Sequence, residues 1–426
     1  MVISDAPRIQ IEAAPEEVGI SSARLQQLTD VMKRHVEARD IPGFATLAGR
    51  HGKVVHFATH GSMDDEAHKP LTENTIYRIY SMTKPIASVG LMMLFEENRF
   101  ALDEPAAKYI PELADLRVFA GGTATSYHAR KPARQPSIRD MLTHCCGFGP
   151  FGPSPVPSVL SDIYREHGIS GMPLSGTLAE QMVRLGQVPL EVDPGANFIY
   201  SVGTDVVARL CEVFSGQSFD RFLRDRILDP LGMVDTSFYV PAAKKDRLAA
   251  NYRPTGAGLT FRAGGGYELF DPPATSNFAR QDGTYFSGVG GLCSTIHDYM
   301  RFAKMLANRG TLDGVRIIGP RTLELMTLNH LPGGVDLNTA ALRPVGSATQ
   351  HPGTGFGLGF AVLQDPAAAQ VLGSAGEYYW SGAASTHFFV SPRDGLFAIF
   401  MTQLLGAQGA PFGRELRTSV YQALTD

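Results

Sequence analysis

The sequence predicts an α+β fold in which one antiparallel sheet is assembled from both ends of the chain, with a mainly helical block inserted against it. Three observations carry this reading. A hairpin signal lies near the start, at residues 43–59. The block from about 76 to 284 holds helical patterns and no convincing central strand, and four strand-like runs with a closing helical pattern end the chain. The division expected from them is a discontinuous α/β domain of residues 1–75 and 285–426 that carries the sheet, and a mainly helical domain of residues 76–284.

Taken in order, Leu25, Leu28, Val31, Met32 and Val36 recur at helical spacing behind Ser21 and Ser22, so residues 21–36 read as a capped amphipathic helix. Gly43–Arg50 and Lys53–Thr59, split by His51-Gly52, read as a hairpin. A helix starting at or just before Ser81 is expected to run to about Asn98. Pro85 falls in its first turn, where a missing N–H costs no intrahelical bond, and Ala87, Leu91, Leu94 and Phe95 form its apolar stripe. Residues 117–135 and 147–157 lack periodicity and read as loops. Long loops in a compact chain are usually functional, so these two are expected to wall a substrate pocket, with Phe148 and Phe151 on the second. Between them Ser137–His144 has a capped helical pattern, and helices follow at about 177–185, 204–215 and 219–227. Beyond them the pattern gives helices at 294–309 and 320–328 and a loop rich in Gly and Pro at 332–354. Strands are then expected at Phe356–Leu363, Gln370–Gly373, Thr386–Ser391 and Leu396–Thr402, before a final helix at Phe412–Leu424.

Composition narrows the function classes. With 44% apolar and 19% charged residues in a chain of 426, the make-up is that of an ordinary globular protein. A formal net charge of −4 gives no basic excess for nucleic acid or an anionic membrane. There is no basic leader followed by an apolar run, and no stretch of about 18 apolar residues. The expectation is a cytoplasmic protein with neither nucleic acid nor membrane as a partner. Cys145, Cys146, Cys211 and Cys293 lack zinc-ligand spacing and read as buried free thiols, and no His-Glu-x-x-His occurs. No metal and no cofactor are expected.

The chemistry is placed at Ser81-Met82-Thr83-Lys84. Residues three apart on a helix share a face, with Cβ atoms about 5–6 Å apart, so Ser81 and Lys84 can meet as nucleophile and base. The partial positive charge of a helix N-terminus favours both an alkoxide on Ser81 and a neutral amine on Lys84. A Ser-x-x-Lys arises by chance in about every second chain of this make-up, and a capping Ser beside a solvated Lys is the plain alternative. An acyl-transfer serine also needs a proton carrier and two N–H donors for the developing oxyanion. Tyr200, in a loop at the mouth of the 204–215 helix, is a candidate carrier where a core tyrosine is the plain alternative. Trp380-Ser381-Gly382-Ala383 lies between strand-like runs, where a glycine lets backbone approach a ligand closely. A simple turn beside a core tryptophan would look the same.

Together these stretches resemble the superfamily of penicillin-binding proteins and class C β-lactamases, and within it the family VIII carboxylesterases. The superfamily motifs Ser-x-x-Lys, Tyr-x-Asn and Lys-Thr-Gly are matched in order by Ser81-Met82-Thr83-Lys84, Tyr200-Ser201-Val202 and Trp380-Ser381-Gly382, and the esterase branch is known for Tyr-Ser-x and Trp-x-Gly. Ile138–His144, Pro230-Leu231-Gly232-Met233 and Gly288-Val289-Gly290-Gly291-Leu292 also look familial, and the resemblance runs from about residue 15 to 424. It implies a β-lactamase-like serine hydrolase fold with the site in the cleft between two domains. Ser81 would be the acylated nucleophile, Lys84 and Tyr200 would share general-base and general-acid work, and the N–H groups of Ser81 and Ala383 would form the oxyanion hole. Trp380 and Gly382 would meet the substrate. Val202 stands where the lactamase pattern has Asn and Trp380 where it has Lys, so the expected substrate is a short-chain neutral ester, a small molecule, rather than a β-lactam. The alternatives are an acyltransferase or weak β-lactamase of the same superfamily, and a structural member that assembles without catalysing. Homo-oligomerisation is left open.

Overall fold

The computed structural model describes residues 8–149, 158–169, 175–256, 260–342 and 352–426. The expected hairpin forms: β1 (Gly43–Arg50) and β2 (Lys53–Asp64) pair antiparallel, turning through His51 and Gly52 at φ 50° and 78°. A two-residue strand, β3 (Lys69–Pro70), edges it. The far end of the chain supplies β4 (Thr354–Phe356), β5 (Ala361–Leu363), β6 (Tyr378–Ser381), β7 (His387–Ser391) and β8 (Leu396–Met401). The sheet order is β4-β5-β6-β7-β8-β1-β2-β3, and the two chain ends join where β1 pairs β8 from Ala45↔Met401 to Arg50↔Leu396.

Side chains alternate across this sheet, as the two-residue strand period requires. Phe388, Val390, Phe397, Ile399 and Met401 enter one apolar cluster, while Phe389, Leu396, Ala398 and Phe400 enter the other. The second cluster is closed by α1 (Ser22–Glu37), whose N-cap Ser21 accepts from the Arg24 N–H. The first runs from the sheet into α2 (Thr83–Glu96), α3 (Ile138–Leu142), α4 (Gly203–Ser215) and α5 (Ile296–Ala307). The C-terminal helix α6 (Phe412–Tyr421) packs beside α1. Rather than burying one stripe, α2 is buried on every side from Thr83 to Leu94, the condition of a helix at the centre of a large core.

Five expectations need correcting. Phe356–Leu363 is a hairpin of two short strands, with Gly359 at φ 97° between them. Gln370–Gly373 is not a strand: the Asp365 carboxylate caps a one-turn helix, Pro366–Ala369, and Gln370 ends it at φ 56°. The strand lies instead at Tyr378–Ser381, so Trp380 and Ser381 are within β6 and not between strands. Residues 118–130 form a largely exposed hairpin, and Leu337–Ala340 a short helix behind Asp336, where loops were expected.

Candidate active site

The turn before α2 is built around Tyr80, which takes φ 41°, an unusual value for a residue with a Cβ. It is held from several sides. The Ile79 N–H donates to Leu292 O at 3.1 Å, the Tyr80 hydroxyl accepts from Asn251 Nδ2 at 3.0 Å, and Thr83 Oγ1 accepts from the Leu292 N–H at 3.1 Å. The α-helix proper starts at Thr83, and Ser81 sits in a 3₁₀ turn, Tyr80–Met82. Residues three apart eclipse in such a turn, so Ser81 and Lys84 still meet.

Ser81 Oγ lies 3.1 Å from Lys84 Nζ and 2.7 Å from the Tyr200 hydroxyl. Lys84 is buried, donates to Val289 O at 2.7 Å, and lies 4.4 Å from the centre of the Tyr200 ring. Burial pushes its amine down to about 7, against the Asp205 carboxylate, which pulls it up. Burial pushes the Tyr200 phenol up to about 12, against its bond to Ser81 and the nearby Trp380 indole. The serine oxygen therefore lies between an amine whose pKa burial lowers toward neutrality and a phenol that burial holds in its protonated form.

Tyr200 leads into α4 and its ring is clasped by His144 at 4.7 Å and Trp380 at 5.5 Å between centroids. His144 takes φ 57°, and its Nδ1 accepts from the Ser201 N–H at 3.4 Å. Burial and the neighbouring Lys84 push its pKa well below the usual histidine value, so the ring is neutral. Trp380 is buried on β6 against Tyr200 and Phe356 and brings no charge to the cluster. Beyond it Gly382 passes so close to the Ser81 turn that a Cβ there would stand 2.4 Å from Ile79 O and 2.3 Å from Thr386 Oγ1. Ala383 follows, exposed, with its carbonyl accepting from the Gly406 N–H at 2.8 Å.

The structure thus gathers Ser81, Lys84, Tyr200, Trp380 and the Gly382–Ala383 turn. Phe148 is fully enclosed in the main core, and Phe151 lies outside the described residues. Sequence reasoning missed three parts of the cluster: His144, the Val289 carbonyl, and Asp205. Asp205 is buried in the first turn of α4, where it accepts from Tyr285 Oη at 2.7 Å, Ser287 Oγ at 2.8 Å and the Val289 N–H at 3.1 Å. The available signal was a lone carboxylate among the apolar residues of Gly203–Cys211. Among the described residues no three His, Cys, Asp or Glu side chains converge to hold a metal, and no helix is long and apolar enough to cross a membrane.

An antiparallel sheet, a buried helix with Ser-x-x-Lys at its mouth, and a tyrosine on the serine oxygen are the architecture of β-lactamase-like serine hydrolases. The Beta-lactamase family model matches residues 28–422. The chain is 30% identical to Esterase EstB of Burkholderia gladioli over 420 residues, 96% of this chain and 98% of that one. It is also 30% identical to Protein Rv1367c of Mycobacterium tuberculosis over 369 residues, 85% and 86% of the two chains. Among solved structures, EstCE1, described as a hydrolase with promiscuous acyltransferase activity, superposes with a TM-score of 0.76 at 26% identity, covering 94% of this chain and 99% of its own. The chain belongs to the β-lactamase family, as a carboxylesterase of its family VIII branch.

Proposed function

We propose that the protein hydrolyses short-chain neutral carboxylic esters through an acyl-enzyme on Ser81. The observation that carries this reading is the Ser81 oxygen held between Lys84 Nζ at 3.1 Å and the Tyr200 hydroxyl at 2.7 Å. In the proposed cycle Lys84, lowered to about 7, takes the Ser81 proton as Oγ bonds to the ester carbon. The N–H groups of Ser81 and Ala383 receive the oxyanion. Collapse breaks the bond to the alkoxide, which takes the Tyr200 proton, and the Lys84 ammonium returns its proton to Tyr200. Water then attacks the acyl group with the same residues acting in reverse. The division into 1–75 with 285–426, and 76–284, would place these steps in the cleft between two domains. Four free, buried cysteines suit a reducing compartment, so a cytoplasmic location belongs to the proposal.

Trp380 supports the choice of neutral substrates. A lysine there would offer a substrate carboxylate a charged hydrogen bond worth about 1.5–3 kcal/mol, whereas the indole offers apolar area and leaves an anion desolvated. Acyl transfer to an alcohol is the second reading, favoured by the description of EstCE1. A panel of p-nitrophenyl esters of rising chain length and a chromogenic cephalosporin, with and without added alcohol and followed by intact mass, tests both. The expected result is fast turnover of acetate and butyrate esters and an acyl adduct absent from Ser81→Ala. An adduct on Ser81→Ala would place the nucleophile elsewhere.

A further inference from the structure

We infer that Asp205 and the loop it gathers, residues 285–291, are a positioning device that aims the Lys84 lone pair at Ser81. The inference rests on the reading of Lys84 as the base. A neutral amine has two N–H groups and one lone pair. The Val289 carbonyl takes one N–H at 2.7 Å, and Ser81 Oγ lies 3.1 Å from the same nitrogen, where the lone pair receives the serine proton in the proposed cycle. Where that carbonyl stands therefore decides where the base points.

Asp205 fixes it. A single buried carboxylate receives three donors from one loop, Tyr285 Oη, Ser287 Oγ and the Val289 N–H. The loop also rests directly on the α4 backbone. A Cβ on Gly288 would stand 2.4 Å from Thr204 O and 2.9 Å from Ala208 Cβ. At its far end Leu292 is bonded to both Ile79 and Thr83, on either side of Ser81. One helix thus indexes Tyr200 at its mouth and the carbonyl partner of Lys84 inside its first turn.

A carboxylate in this position also has an electrostatic consequence. Burial raises the Asp205 pKa, while its three donors and Lys84 favour the ionised form. The ionised carboxylate in turn raises the Lys84 pKa against its burial. The other groups facing Lys84 are Ser81, the Tyr200 ring, the Val289 carbonyl and the neutral His144. None of them is a fixed charge, so the Asp205 carboxylate is the anion that tunes the base.

The test is the pH profile of kcat/KM for p-nitrophenyl butyrate in Asp205→Asn, Gly288→Ala and Lys84→Ala. Asp205→Asn removes the charge and is expected to lower plateau activity about 10–100-fold, the scale of a sub-ångström to 1 Å misplacement. It should also move the acid limb to lower pH by about one unit. Gly288→Ala keeps the carboxylate and moves the loop, so activity should fall with the acid limb unmoved. That variant carries the test if Asp205→Asn does not accumulate. Parent-like rate and limb in a folded Asp205→Asn, or parent-like rate in Gly288→Ala, would overturn the proposal while Lys84→Ala stays inactive. Parent-like turnover in Lys84→Ala would overturn the base assignment and this proposal with it.

Discussion

Replacing Gly382 by alanine adds a methyl just past strand β6, where the chain passes the Ser81 turn. That methyl would stand 2.4 Å from Ile79 O and 2.3 Å from Thr386 Oγ1, in both cases inside the 3.0 Å that real Cβ contacts respect. The two clashes are not equivalent. Thr386 Oγ1 is buried without a hydrogen-bond partner, so its side chain can rotate away without losing a bond. Ile79 O is backbone and accepts from the Met82 N–H at 3.0 Å, so it moves only with the turn that carries Ser81. Relief therefore means a displacement of about 0.6 Å or more between the turn and the strand. Overpacking of this kind costs about 1–3 kcal/mol, and a shift approaching 1 Å at a reacting group costs about 10²-fold in rate. Gly382→Ala should lose about 10–100-fold in kcat/KM on p-nitrophenyl butyrate and unfold at lower urea, with the pH of the acid limb unchanged because Lys84 keeps its surroundings. A folded variant with the stability and kcat/KM of the parent would refute the idea that this backbone contact positions Ser81.

Burial lowers Lys84 to about 7, and the proposed cycle uses its neutral amine, so kcat/KM should rise with pH through about 7 to an alkaline plateau. An optimum at pH 4–5 would point to a carboxylate base instead. Lys84→Ala and Tyr200→Phe should each lower kcat by about 10²–10⁴. A double variant as slow as the product of the two losses would show that the two residues do not act as a unit. Trp380→Lys should weaken neutral-ester turnover and improve reaction with carboxylate-bearing β-lactams. The charge argument fails if the parent already cleaves cephalosporins as fast as p-nitrophenyl butyrate. Away from the site, His35 bridges Asp40 at 2.7 Å and Glu415 at 2.8 Å; burial opposes its charge, but the two carboxylates outweigh burial and raise its pKa. That stabilisation is complete below the unfolded value near 6.5 and is lost as pH rises through the higher folded value. His35→Gln should therefore lower the melting temperature more at pH 6 than at pH 9, and an equal loss at both would refute the bridge as a charged one.

What the sequence revealed was local. Ser81 and Lys84 are three residues apart, so their meeting follows from any helical turn, whether α or 3₁₀. Tyr200 and Trp380 were legible only through motif order, because nothing near them in sequence says what they face. Asp205 and the Val289 carbonyl are 84 residues apart along the chain, and backbone acceptors leave no trace in residue identity. The Gln370–Gly373 error has a similar cause. Its apolar pattern favoured a strand until Asp365 capped the preceding turn and Gln370 took a left-handed conformation. The 118–130 hairpin, largely exposed beyond Val118 and bulged between Phe119 and Gly121, had no clear alternation to read.

The pairing of β1 with β8 has a consequence for how the protein is made. About 350 residues separate the two strands, and at roughly 5–20 residues per second a ribosome needs about 20–70 s to deliver the second after the first. Throughout that time β1, whose eight residues are all buried in the finished sheet, has β2 on one edge and nothing on the other. An open apolar strand edge recruits other chains, so a nascent or truncated chain that stops before Leu396 should aggregate through β1. Its yield in cells should depend on chaperones that shield such edges, and slowing translation within the inserted block should lower the soluble fraction.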